Sequence, residues 1–225
     1  MLWHKIIGAG GISKGITLAD TKTDFSNTDN SFTIDVSGED IQADDLIVIC
    51  LMIKKPSNTT TSISGFTKNA DVYVNSTDDS NLSVFNKVAN GTETSLTVTT
   101  NVTQGCRYNL YVWRGVDTTT PIDVAIATNT SSNATMASSP NVTTATDNAV
   151  VMQFIGVAGA GARPLDAITQ PSGTDNFIST GNNIKLASCS SVQQTAGTTS
   201  LNNFGGGSNN SGHSSIAATL TIRPA

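Results

Sequence analysis

The sequence predicts an all-β protein made of two related halves, and three observations carry that prediction. The first is an apolar stretch, Asp45 to Lys55 (DLIVICLMIKK), that returns as Asn148 to Ala158 (NAVVMQFIGVA). Each copy opens on acidic or amide residues and runs into a block dense in Val and Ile, too short for a capped globular helix. That composition reads as a buried central strand. The eight residues Leu46 to Ile53 also fall far short of the roughly 20 that a membrane helix needs, so no membrane insertion is expected. The second observation is period-two alternation of Val, Leu, Ile and Tyr with Ser, Thr and Asn in most of the remaining segments. The third is a shared order of elements around the two apolar strands.

After the first copy come SGFTKNADVYVN, NLSVFNKVANGTETSLTV and RYNLYVWRGV; after the second come PSGTDNFISTG, IKLASCSSVQQTAGTTSLNNF and IAATLTIRPA. Both series run apolar strand, Ser-Gly turn, alternating strand, Gly-centred hairpin, alternating strand, and a last strand that ends on Arg plus Gly or Pro. Gly65 answers Gly173, Gly91 answers Gly197 and Arg114 answers Arg223. The offset stays at roughly 105 to 110 residues, far longer than a solenoid repeat. The expected organisation is therefore a duplication with half-repeats 31–127 and 141–225, joined by a polar connector 128–140. The halves form either one sandwich or two small sandwiches in tandem.

Composition agrees with this reading. Charged residues make up 13% of the 225-residue chain, about half the usual quarter. Ser, Thr, Asn and Gly are abundant; Thr suits exposed strand positions, and the others suit turns. The net charge is −5 and no Lys/Arg cluster forms a phosphate-binding surface, which argues against nucleic acid as a partner. Met1 to Ile12 has no continuous apolar core of the kind a secretory leader carries, so folding in the cytoplasm of the producing cell is expected.

Residues 1–26 stand apart from a sandwich spanning 27–225. Trp3, Ile6, Ile7, Ile12 and Ile16 fit no clean period and have no hairpin partner nearby. Two readings stand: a frayed terminus or edge strand, or an extended N-terminal arm that packs on a neighbouring subunit or larger assembly. On the second, Trp3 is the natural anchor, with Ile6, Ile7 and Ile12 beside it. Further along, Phe32, Ile34 and Val36 define one strand face. Tyr108, Leu110 and Val112 oppose Asn109, Tyr111 and Trp113 on a strand with apolar groups on both sides. That strand must be central, or covered on one face by a partner. Ile122 to Ala127 reads as a short strand, and Gly205 to Gly212 as a flexible loop.

No residue constellation identifies a reaction. Gly156 to Arg163 (GVAGAGAR) lacks the dinucleotide-loop spacing and is followed by Pro164. His4 and His213 pair with no nucleophile and no metal-ligand spacing. Asp166 and Asp175 have no feature that places them together as a glycosidase pair. Asp44–Asp45 and Asp78–Asp79 offer oxygens to calcium but lack further acidic ligands at regular spacing, so surface turns are the default. No metal and no cofactor is expected. Three cysteines cannot form an even framework: Cys50 reads as a buried thiol, and a Cys106–Cys189 bridge is left open. Tyr73, Tyr111, Trp113 and Phe177 form either a sugar-stacking platform or ordinary core and intersubunit packing.

The segment Tyr111 to Ala125 (YVWRGVDTTTPIDVA) resembles a recurrent passage of bacteriophage tail and virion-surface proteins. There an aromatic-Arg-Gly-Val strand end precedes a turn and Pro-Ile-Asp. DDLIVICLMIKK, the Ser64-Gly65-Phe66 turn, the hairpin Gly91 to Ser95 and the closing Leu220 to Ala225 (LTIRPA) fit the same pattern. Trp3 to Gly11 (WHKIIGAGG) is similar to the short attachment arm of some phage appendage and decoration proteins. The resemblance implies a jelly-roll-like antiparallel β-sandwich, often homotrimeric, on a virus particle assembled in the host cytoplasm. It implies a non-enzymatic structural role on the capsid exterior or in a tail fibre, with other virion proteins as partners. It carries no catalytic residue. The alternative is a carbohydrate-binding or adhesion module for a cell-surface polysaccharide, with Tyr111 and Trp113 as its contact residues.

Overall fold

A computed structural model describes residues 15–26, 30–54, 61–76, 79–101, 103, 105–132, 136–158, 175–181, 184–201, 204 and 214–225. Among them there is no helix. Thirteen strands are present: β1 (Thr17–Ser26), β2 (Ser31–Asp35), β3 (Ala43–Lys54), β4 (Thr61–Ile63), β5 (Thr67–Val74), β6 (Ser80–Asn90), β7 (Ser95–Thr100), β8 (Cys106–Arg114), β9 (Ala127–Ser131), β10 (Ala149–Ala158), β11 (Asp175–Gly181), β12 (Ile184–Gln193) and β13 (Ser214–Ile222). They form a central sheet β1-β8-β3-β6-β5, an outer sheet β11-β12-β10-β13-β9 and a small sheet β2-β7-β4. All pairings are antiparallel.

Side-chain alternation assigns the layers. On β3, Leu46, Val48, Cys50 and Met52 pack with Val150, Met152, Phe154, Leu186, Ala218 and Leu220 of the outer sheet. The intervening Ile47, Ile49, Leu51 and Ile53 pack instead with Ile34, Leu96, Val98 and Ile63 of the small sheet. β3 thus has both faces in a core, and this explains why its sequence is a continuous apolar run rather than an alternation. β8 shows the same two-sided pattern: Leu110 and Val112 face the small sheet, Tyr111 and Trp113 the outer one. A third, thinner cluster of Ile155, Val157, Ala187, Cys189 and Phe204 lies on the far face of the outer sheet.

The central and outer sheets share one order of strands. Starting from β1, the central sheet runs β1-β8-β3-β6-β5; starting from β9, the outer sheet runs β9-β13-β10-β12-β11. Matching positions share backbone geometry. Asp44 (φ 70°) and Asn148 (φ 59°) are the two non-glycine residues with left-handed φ among those described, and each stands two residues before the paired apolar run of β3 or β10. Asp and Asn are among the side chains that tolerate that region. The halves are also stitched end to end. Asp117 N donates to Arg223 O (3.0 Å) and Ala225 N to Gly115 O (3.1 Å) around the Val116–Pro224 bridge. Gly91 is required at its turn twice over: its φ is +79°, and a Cβ there would come within 2.7 Å of the Ala43 backbone nitrogen.

The structure decides three points that the sequence left open. Residues 17–26 are not a free arm: β1 pairs with β8 from Thr17–Arg114 to Ser26–Cys106. The polar connector opens on a strand: β9 runs into its first residues and pairs with β13; its mostly exposed polar residues give no apolar signal, since the strand is held by backbone pairing. Cys106 and Cys189 form no disulfide, and neither does Cys50. Cys106 belongs to the core against the small sheet and Cys189 to the cluster on the far side of the outer sheet, so two sheets separate them. Burial pushes the Cys106 thiol up to about 12, with a backbone hydrogen bond and Arg107 acting the other way.

Candidate functional site

Trp3, Ile6, Ile7 and Ile12, the expected assembly residues, lie outside the described residues, as do His4, Asp78, Asp166, His213 and the loop 205–212. Phe177 and Asp175 fall on β11, whose side chains are likewise outside the description. Tyr111 and Trp113 are core residues and not a ligand platform: their exposures are 1% and 3%. The two rings stack at 6.5 Å, and Phe154 of β10 meets Tyr111 edge-on at 6.2 Å. The Tyr111 hydroxyl is hydrogen-bonded to Ser188 Oγ, which also accepts from Asn109 Nδ2 (2.6 Å). Burial drives the Tyr111 phenol far above its ordinary value, opposed by the hydrogen bond from Ser188. The partner that covers this face of β8 is the chain's own outer sheet.

Asp45 and Asp79, the described carboxylates with partners from the two acidic pairs, brace the fold. Asp45 is 2% exposed and takes a two-pronged contact from Arg114, Nε at 2.9 Å and an amino group at 2.8 Å, while Gln42 N caps it at 2.8 Å. Asp79 accepts from Tyr73 Oη (2.7 Å) and Ser76 N (2.6 Å). Arg223, at the end of the second half, meets Asp123 of the first (Nε–Oδ1 3.3 Å). Asp123 also accepts from Ala145 N (2.6 Å) and Thr146 Oγ1 (2.8 Å). Arg114 and Arg223 thus play matching parts at the ends of β8 and β13, although both carboxylates, Asp45 and Asp123, belong to the first half-repeat.

Among the described residues, one arrangement with room for a ligand is an open groove of about 500 Å³ at the mouth of the gap between the central and outer sheets. β5 and β6 form one wall, with Thr67, Asn69, Asn86, Lys87 and Val88; Thr120, Pro121 and Ile122 form the other. The wall is shaped by a β-bulge: the β5–β6 register shifts between Lys68 and Ala70, leaving Asn69 as the extra residue. Bulges re-aim side chains, and here Asn69 Nδ2 donates to Asn86 Oδ1 at 2.8 Å. Asn86 follows Leu82 and Val84 on the face turned to the outer sheet and is 6% exposed, so a carboxamide stands where another aliphatic would extend the core. On the opposite wall Thr120 Oγ1 donates to Asp117 (3.0 Å) and accepts from Arg223 (3.0 Å).

Lys87 brings little net charge to the groove. Its ammonium pairs with Glu93 at 2.7 Å and lies 6.0 Å from the centre of the Phe66 ring. Glu93 also accepts from Asn90 N and Gly91 N, both at 3.0 Å. Burial pushes the Glu93 carboxyl up, but the bonds from Lys87 and the turn amides outweigh it and hold the group at about 2 against an ordinary 4.5. A depressed folded-state value stabilises the fold above the unfolded value and is lost as pH falls. Denaturant unfolding should therefore show stability declining between pH 4.5 and about 2, with a flatter decline in Glu93→Gln. Equal acid slopes in the two proteins would refute this.

Sequence reading did not find the groove. A bulge leaves no periodic signal, and the facing segment is about 50 residues away in the chain. The available clue was Asn86, which breaks the apolar series of β6. No protein-family model matches this chain, and neither a curated protein nor a solved structure matches it significantly. Chemically, the groove offers neutral hydrogen-bonding groups beside the apolar side chains of Val88, Pro121 and Ile122.

Proposed function

We propose that this chain is a non-enzymatic structural protein of a bacteriophage particle, on the capsid exterior or in a tail appendage. It is a homotrimer displayed through its N-terminal segment, with other virion proteins as partners. The observation that carries the reading is the strand order. A jelly roll places strands 1, 8, 3 and 6 in one sheet and 2, 7, 4 and 5 in the other. Here β1-β8-β3-β6 lies over β2-β7-β4, with β5 moved to the edge beside β6. The resemblance of Tyr111 to Ala125 and of the closing LTIRPA to phage surface proteins supports the same reading.

The shared strand order of the central and outer sheets, with the matched Asp44 and Asn148 turns and Arg114 and Arg223 ends, supports an internal duplication. On that reading two jelly-roll-like units stand back to back. Among the described residues of the second, the Thr143–Thr198 bridge stands where the first has β2 and β7.

Because β1 belongs to the central sheet, the test is deletion of residues 1–14 and not of 1–26. The shorter deletion should abolish incorporation into particles while leaving the melting temperature and far-UV spectrum unchanged. The longer one should also lower stability by stripping β1 from β8. Normal incorporation of the chain lacking 1–14 would overturn the attachment role.

A further inference from the structure

We infer that the groove between Asn69, Asn86 and Thr120 is a binding site for a neutral saccharide. Its volume of about 500 Å³ lies within the usual 300–1,000 Å³ of small-molecule sites. Its polar groups are carboxamides and hydroxyls: Thr67, Asn69, Asn86 and Thr120. A carboxamide carries two donors and an acceptor. After the single bond from Asn69 to Asn86, the pair has donors and acceptors left to match the adjacent hydroxyls of a sugar ring, each of which both donates and accepts. Thr120 Oγ1 has donated its proton to Asp117 and taken one bond from Arg223, which leaves it an acceptor. Val88, Pro121 and Ile122 give the apolar wall surface against which the C–H face of a pyranose lies.

Charge decides against an anion. The groove's cation, Lys87, is already neutralised by Glu93 at 2.7 Å, so phosphate, sulfate or a uronic acid would be desolvated without gaining a free counter-charge. The sequence of β6 points the same way. Burying Asn86 in an otherwise aliphatic series costs stability unless its hydrogen-bonding capacity is used, and a saccharide would use it. The bulge at Asn69 aims a second carboxamide into the same space. This inference stands on the groove alone and does not depend on where the protein is displayed.

The experiment is titration of the ¹⁵N-labelled full chain with D-glucose, D-galactose, D-mannose, N-acetylglucosamine and their β-linked disaccharides, with inorganic phosphate and glucuronate as charged controls. At least one neutral sugar should shift amides of 65–69, 86–88 and 120–122 in a saturable way at millimolar concentration. Asn86→Leu, which keeps a side chain of similar size, and the surface variant Thr67→Val should each weaken that binding tenfold or more with the spectrum otherwise native. If Asn86→Leu fails to fold, Thr67→Val and Asn69→Ala carry the test. Shifts from phosphate or glucuronate instead of the neutral sugars, shifts elsewhere on the chain, or unchanged affinity in the folded variants would each overturn the proposal.

Discussion

Replacing Asp123 with Ala should destabilise the protein by about 2–4 kcal/mol. The Asp123 side chain has no exposed surface, and its carboxylate answers Arg223, Ala145 N and Thr146 Oγ1 together. Truncation leaves those donors without their acceptor in a buried place. It also loosens Arg223, which ties Thr120 and the end of β13 to the segment leading into β9. Arg223 itself is 28% exposed, so water recovers part of its loss, and the estimate is set below that for a fully buried pair. At roughly 2–4 °C per kcal/mol for a chain of this size, the melting temperature should fall by about 4–16 °C. Asp123→Asn, which keeps one acceptor oxygen, should lose less. A loss under about 1 kcal/mol in Asp123→Ala would show that the cluster does not hold the second half in place.

Tyr111→Ala should cost about 3–5 kcal/mol, the range for deleting a buried aromatic ring. Tyr111 fills the layer between the central and outer sheets, against Trp113 and Phe154. Its removal opens a cavity at the junction of the halves and strips a hydrogen-bond partner from Ser188. Tyr111→Phe keeps the ring and should cost only about 1 kcal/mol. Trp113 reports the difference: its emission should shift to the red in the Ala variant as water reaches the indole, and stay unchanged in the Phe variant. A stable Ala variant with unshifted emission would mean that this core repacks without the ring.

Much of the architecture could be read from the residues because burial writes itself into period. The runs at Asp45 and Asn148 became β3 and β10, each between two strands of its sheet. The apolar pattern on both faces of Tyr108 to Trp113 meant a covered strand, and β8 is covered. Gly91 was read as a hairpin centre and has the left-handed φ such a turn uses. What escaped was set by pairing and not by composition. β1 (TLADTKTDFS) carries Asp, Lys and Thr with no clean alternation, as an edge strand can, and its partner β8 begins 80 residues later. β9 escaped for the same reason. Tyr111 and Trp113 could be read as ligand aromatics because sequence cannot tell a face covered by a partner from one covered by the chain's own later strands. The groove depends on a one-residue bulge and on a contact between distant segments, and neither has a local signature.

The two-sided burial of β3 has a consequence for how the chain is made. When residue 127 leaves the ribosome, the strands of the central and small sheets exist and can pair. The strands that cover Leu46, Val48, Cys50, Met52, Tyr111 and Trp113 do not. At about 5–20 residues per second, the nascent first half presents that apolar sheet face for several seconds or longer before β10 to β13 arrive to close it. Its halves, however alike in strand order, are therefore not separable parts: the first is completed by the second, and a chain halted between them is a candidate for chaperone capture or aggregation.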